Sequence, residues 1–167
     1  MSNTNPNAGA LAATLNDLPE TVRLVSVALL NQTLADVTDL WSQSKQAHWN
    51  ARGPLFYEHH EVFDKVADMF FEELDEVAER IVTLGGIANG TVRAAAANSA
   101  LPEFPTNDFG SLAYIKALAS HTALAAKRAR AAIDTAANAG DADTADLLTG
   151  ISRALDKALW FIEAHTR

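Results

Sequence analysis

Five side chains in the first half of this 167-residue chain carry groups that ligate transition metals: His48, His60, Asp64, Asp75 and Glu79. Cysteine is absent. Disulfides, zinc–thiolate sites, iron–sulfur clusters and thiol nucleophiles are therefore excluded, and any metal must be held by imidazole and carboxylate. A lone histidine on an apolar stripe is usually a packed core residue. His48 does fall on the line of Leu30, Val37 and Trp41, at about 100° per residue, but it does not stand alone. Relative to His60, the residues Asp64, Asp75 and Glu79 lie at about 40°, 60° and 100° around a helix. Four ionisable groups thus share one edge of an otherwise apolar helix, which is costly unless they are paired or bound to metal. Glu72, Glu73 and Glu76 read instead as a solvated face.

His60 and Asp75 are also about 22 Å apart along such a helix, and metal bonds of about 2 Å cannot bridge that distance. Within one chain the set is two half-sites. Two chains packing this helix antiparallel about a two-fold axis would set His60 and Asp64 of one against Asp75 and Glu79 of the other, twice by symmetry. Four-helix proteins that build a di-metal site inside one bundle use Glu-x-x-His. No such spacing occurs here, which favours the interface.

These residues require long helices to position them. Apolar residues make up 49% of the chain against 20% charged, the composition of a globular protein. Eight Gly, five Pro and several Ala runs favour an all-α chain. Residues 1–16 are polar and read as a mobile arm, leaving 17–167 as one domain. Asp17 is the expected cap and Pro19 the first turn of a helix reaching about Trp49, its inner face marked by Val22, Val25, Leu29, Leu30, Leu34, Val37, Leu40 and Trp41. Gly53-Pro54 breaks it. A second helix starts near Tyr57, buries Phe63, Val66, Phe70, Leu74, Val77, Ile81 and Leu84, and stops at Gly85-Gly86. Thr91–Asn98 forms a short helix in a long connection closed by Pro102 and Pro105. A third long helix runs from Asn107-Asp108 to about Asn138, with Leu112, Ile115, Leu118 and Ala125 inward. Gly140 ends it, and Asp141 or Asp143 caps a fourth, whose Leu148, Ile151, Leu155 and Ile162 face in. Two helical hairpins joined by a long crossover holding a short helix make a ferritin-like four-helix bundle. No apolar run is long enough to span a bilayer. Met1–Ala10 has neither the basic residues nor the apolar core of a secretory leader, so the expected location is cytoplasmic, nucleoid-associated if DNA is bound.

Lys45-Gln-Ala-His-Trp-Asn-Ala-Arg-Gly-Pro54, His60-Glu-Val-Phe-Asp64, Asp75-Glu-Val-Ala-Glu-Arg80 and Leu84-Gly-Gly86, with Asp143-Thr-Ala-Asp146 and Leu155-Asp-Lys-Ala-Leu-Trp-Phe-Ile-Glu163, together resemble the Dps family. These are the miniferritins, or DNA-binding proteins from starved cells. The resemblance covers nearly all the chain from Asp17 onward. It implies a hollow dodecamer assembled from two-fold dimers. It also implies ferroxidase centres at the dimer interface that oxidise Fe(II), preferentially with hydrogen peroxide, and store ferric iron. Carried over by position, His48, His60 and Asp64 come from one subunit and Asp75 and Glu79 from its mate. This mixed imidazole–carboxylate set suits iron. Trp49 corresponds to a tryptophan beside the site that donates an electron and traps reactive oxygen. Asp141, Asp143 and Asp146 fall where the family lines acidic pores at three-fold axes, and they also suit helix capping. His59, His121 and His165 match no metal spacing and read as surface or packing residues.

A second reading is a nucleoid-associated, DNA-protecting protein in which the metal site is secondary. Family members that compact DNA commonly carry basic tails. Here no Lys or Arg precedes Arg23, only Arg167 follows Trp160, and the net charge is −8. Without cations to displace counterions from phosphates, DNA affinity is expected to be weak. No Ser-His-Asp or Gly-x-Ser-x-Gly pattern supports a hydrolase.

Overall fold

The computed structural model describes residues 10–106 and 110–166. Among them are five helices and no strand: α1 (Glu20–Asn50), α2 (Phe56–Thr83), α3 (Val92–Asn98), α4 (Ser111–Ala139) and α5 (Ala142–Glu163). α1 packs against α2 and α4 against α5; α1 also meets α4, and α2 meets α5. Both hairpins are antiparallel. Arg23 near the start of α1 bonds the Leu84 carbonyl just past α2, and Arg130 of α4 pairs with Asp156 of α5. This is the ferritin-like four-helix bundle, with α3 in the crossover.

The helix ends follow the breakers, with one difference at the start. Asp17 does not cap α1. Pro19 occupies the N-cap position without a side-chain cap, and it is the Asn16 side chain that accepts a local bond, from Leu18 N–H. Gly85 ends α2 in a left-handed conformation (φ 83°). The Gly86 and Gly85 amides donate to Ile81 and Val82 carbonyls at 2.9 Å, the paired bonds that satisfy a helix C-terminus. The same device at Gly140 lets α4 pass into α5 through two residues. Thr91 caps α3. The expected start of the third long helix at Asn107-Asp108 lies outside the described residues. So do residues 1–9 of the arm. In its remainder, Ala12 N–H donates to the Gly85 carbonyl.

Leu30, Leu34, Val37 and Leu40, then Phe63, Val66, Phe70, Val77 and Ile81, then Ile115, Leu118 and Ala125, then Leu148, Ile151, Leu155 and Ile162 close one core. Val25 and Leu112, expected inside, are 38% and 47% exposed. The inward place is taken in each case by the adjacent serine. Ser26 donates to Asp141, and the Ser111 hydroxyl bonds both the amide and the carbonyl of Arg52. Buried polar groups need such partners more than these helix ends need another apolar contact.

Candidate metal centre

The short link between α1 and α2 places the last turn of α1 against the first turns of α2, and there His48 meets His60. Their rings stack with centroids 3.7 Å apart and planes 24° apart. His48 Nδ1 lies 2.9 Å from the His60 carbonyl oxygen, and His60 Nδ1 lies 3.0 Å from that of His48. A carbonyl only accepts, so each Nδ1 carries the proton and donates it. Each Nε2 is left with its lone pair, the protonation pattern that presents an imidazole to a metal. This reciprocal lock costs no extra side chain, because each helix's backbone orients the other's ligand.

Asp64 lies one turn beyond His60, with Oδ1 3.8 Å from His48 Nδ1. Lys45 of α1 ion-pairs with it. That hydrogen bond, with the Lys45 ammonium and the nearby His48 and His60 rings, outweighs desolvation and holds the Asp64 carboxyl below its usual range. Lys45 was not singled out from the sequence; its place one turn before His48, opposite Asp64, was the available signal. Phe56 flanks the His60 ring at 5.1 Å, and Trp49 is 69% exposed beside His48.

The structure thus gathers His48, His60 and Asp64. Asp75 and Glu79 stand exposed farther along the unbroken α2. Among the described residues of one chain, no three His, Asp or Glu side chains converge to hold an ion. The Ferritin-like domain family matches residues 27–167. A DNA protection during starvation protein of Agrobacterium fabrum is 41% identical over 154 residues, 92% of this chain and 95% of that one. The chain belongs to the Dps family. Among solved structures, DpsC from Streptomyces coelicolor has a TM-score of 0.91 at 32% identity, covering 95% of this chain and 93% of that one. A Dps protein from Vibrio cholerae O1, titled a member of a broad superfamily of ferritin-like diiron-carboxylate proteins, shares the fold. Its TM-score is 0.86 at 23% identity, covering 95% and 99%.

In this Dps-family chain the three carboxylates at the start of α5 part company. Asp141 is 1% exposed. Its Oδ1 accepts from Thr144 N–H and Arg80, and its Oδ2 from the Ser26 and Thr144 hydroxyls. Desolvation raises its carboxyl pKa, but the bonds from Ser26 and Thr144 and the Arg80 charge outweigh it and leave the group below its usual range. Asp143 is open to solvent, its side chain 86% exposed, and Asp146 is exposed too. Of the three, Asp143 and Asp146 present their carboxylates at the surface of the chain and Asp141 does not. His121 is a packing residue, bonded through Nδ1 to Gln43 Oε1 at 2.7 Å. His59 is buried. Desolvation first and His165 second hold its pKa below the ordinary value, against the Glu58 carboxylate. Among the described residues, no helix is long and apolar enough to cross a membrane.

Proposed function

We propose that this Dps-family protein is a cytoplasmic ferroxidase and iron store, taking Fe(II) as substrate at centres completed by a second chain. The reciprocal His48–His60 pair carries the reading. Metal–nitrogen bonds of about 2.0–2.1 Å put a ring centroid about 3.2 Å from its ion, so rings sharing one ion at a right angle or wider lie at least about 4.5 Å apart. At 3.7 Å the two imidazoles serve two neighbouring ions. Asp64 adds a carboxylate from the same chain, and Asp75 and Glu79 of a two-fold mate supply the rest. Trp41 and Phe71 line an apolar cleft with Leu74, Ala78 and Val92, and exposed Phe71, Val82 and Val92 suit burial against that mate. Two Fe(II) each yield one electron to hydrogen peroxide. Its O–O bond breaks, and with two protons it leaves as two waters. Exposed Trp49, next to His48 in sequence, is proposed to give up an electron to a stray oxidant. The ferric product is stored in a hollow dodecamer.

The test is anaerobic Fe(II) loading of the assembled protein, followed by peroxide or oxygen with absorbance readout. Rapid, saturable oxidation is expected, faster with peroxide, from a particle of roughly a dozen chains by light scattering, a closed point-group assembly. A stable monomer with full activity would overturn the shared site.

The name of the Agrobacterium fabrum relative, a DNA protection protein, favours a second reading, protection of DNA, which direct binding would provide. The absence of Lys and Arg before Arg23 and the net charge of −8 weigh against tight DNA contact, and a mobility-shift assay at physiological salt separates the two. Asp143 and Asp146 are proposed to focus Fe(II) at a three-fold pore. Replacing both by Asn is expected to slow uptake at low Fe(II) and low salt, with the defect fading as either rises. Unchanged uptake kinetics in an assembled variant would remove the pore role.

A further inference from the structure

His59 and His60 are neighbours on α2 but point about 100° apart. His60 turns to α1. His59 turns toward the end of α5, where it meets His165, with ring centroids 5.8 Å apart and planes 68° apart. His59 is 5% exposed, and its Nε2 is buried with no hydrogen-bond partner. A buried polar atom left without a partner is costly, and an edge-on ring contact does not remove that cost. His165 lies just past α5, half-buried. Its Nδ1 donates to the Phe161 carbonyl at 2.8 Å, which fixes the proton there and leaves Nε2 as a lone-pair donor.

We propose that His59 and His165 form a second metal site, separate from the His48–His60 pair, for a divalent transition-metal ion that favours imidazole. The separation of the two rings is that of imidazoles sharing one ion. With bonds of about 2.0–2.1 Å, two imidazoles on one ion have centroids about 5.2 Å apart at a tetrahedral angle and about 6.4 Å apart when linear. The observed 5.8 Å falls between these limits. Two neutral nitrogens without thiolate select Zn(II), Co(II), Ni(II) or Cu(II) over Mg(II) or Ca(II). The ion would tie the end of α5 to the first turn of α2.

Co(II) is the probe, because its visible absorption reports coordination. In the assembled His48→Ala/His60→Ala protein, where both imidazoles of the proposed ferroxidase centre are gone and only its carboxylates remain, equilibrium dialysis is expected to retain one Co(II) per chain that depends on His165, and bound Co(II) to raise the melting temperature. Adding His165→Ala, beyond the helix end and outside the core, should weaken that binding at least about tenfold and abolish the thermal shift. If the double variant fails to assemble, the wild-type chain and His165→Ala alone should differ by one Co(II) equivalent. Cu(II) hyperfine spectra should then lose one imidazole nitrogen. Equal Co(II) affinity and stoichiometry with and without His165 would overturn the site, whatever becomes of Fe(II) oxidation.

Discussion

Replacing His60 by Ala, or Asp75 by Ala, is expected to lower the rate of Fe(II) oxidation at least tenfold, and mixing the two proteins to restore part of it. Even groups that merely orient a ligand cost about 10–100-fold when lost, so removing a proposed ligand should cost no less. Restoration follows from where the groups stand. His60 is locked to His48 at the α1–α2 link, whereas Asp75 is exposed farther along the same helix. A two-fold dimer holding one chain of each variant has one centre with His60 and Asp75 both intact, and one lacking both. Equal random mixing makes half the dimers of this kind, so about a quarter of wild-type centres return. The measurement is initial-rate Fe(II) oxidation after demonstrated subunit exchange. No recovery under that condition would overturn the pairing of His60 from one chain with Asp75 from its mate.

Asp141→Ala is expected to cost about 3–5 kcal/mol of stability, the range for breaking a buried ion pair by removing one partner. The variant removes the 2.8 Å carboxylate partner of Arg80 and leaves it the more distant, exposed Asp143 at 4.0 Å, while the Ser26 and Thr144 hydroxyls and the Thr144 amide lose their acceptor. The first turn of α5 loses its cap at the same time. The effect has a defined pH dependence. The carboxyl pKa is lower in the folded protein than in the unfolded chain, where it is about 3.9. The charged interaction therefore contributes fully above that value and is lost as pH falls through the lower folded pKa. Urea midpoints at fixed chain concentration should separate wild type from variant at pH 7 and draw together in acid. Equal midpoints at pH 7 would show that the network does not stabilise the bundle.

The long helices were legible in the residue order because their signals are local. Leu30, Leu34 and Val37 repeat at helical spacing, and Gly85 and Gly140 stop α2 and α4 through a backbone conformation that glycine adopts freely. His48, His60 and Asp64 were legible for the same reason, since helical angle alone puts them on inner edges. The start of α1 departs from the expected Asp17 cap because Pro19 itself takes the N-cap position, leaving no side-chain cap for Asp17 to supply, while Asn16 closes a local turn onto Leu18 N–H ahead of the helix. Asp141 and Asp143 are equally acidic and two residues apart, yet one is buried against Arg80 and the other exposed.

Local order therefore determined the all-α bundle, its breaks and the ligand types available to a metal. Tertiary structure decided which of those groups meet. It set the reciprocal carbonyl lock between His48 and His60, the Lys45 contact to Asp64, the burial of Asp141 beneath Ser26 and the approach of His165 to His59. Each of these contacts joins residues that packing brings together from different helices or from beyond a helix end. Helical spacing ranks the faces of one helix, but it carries no information about which face of another helix will lie against it.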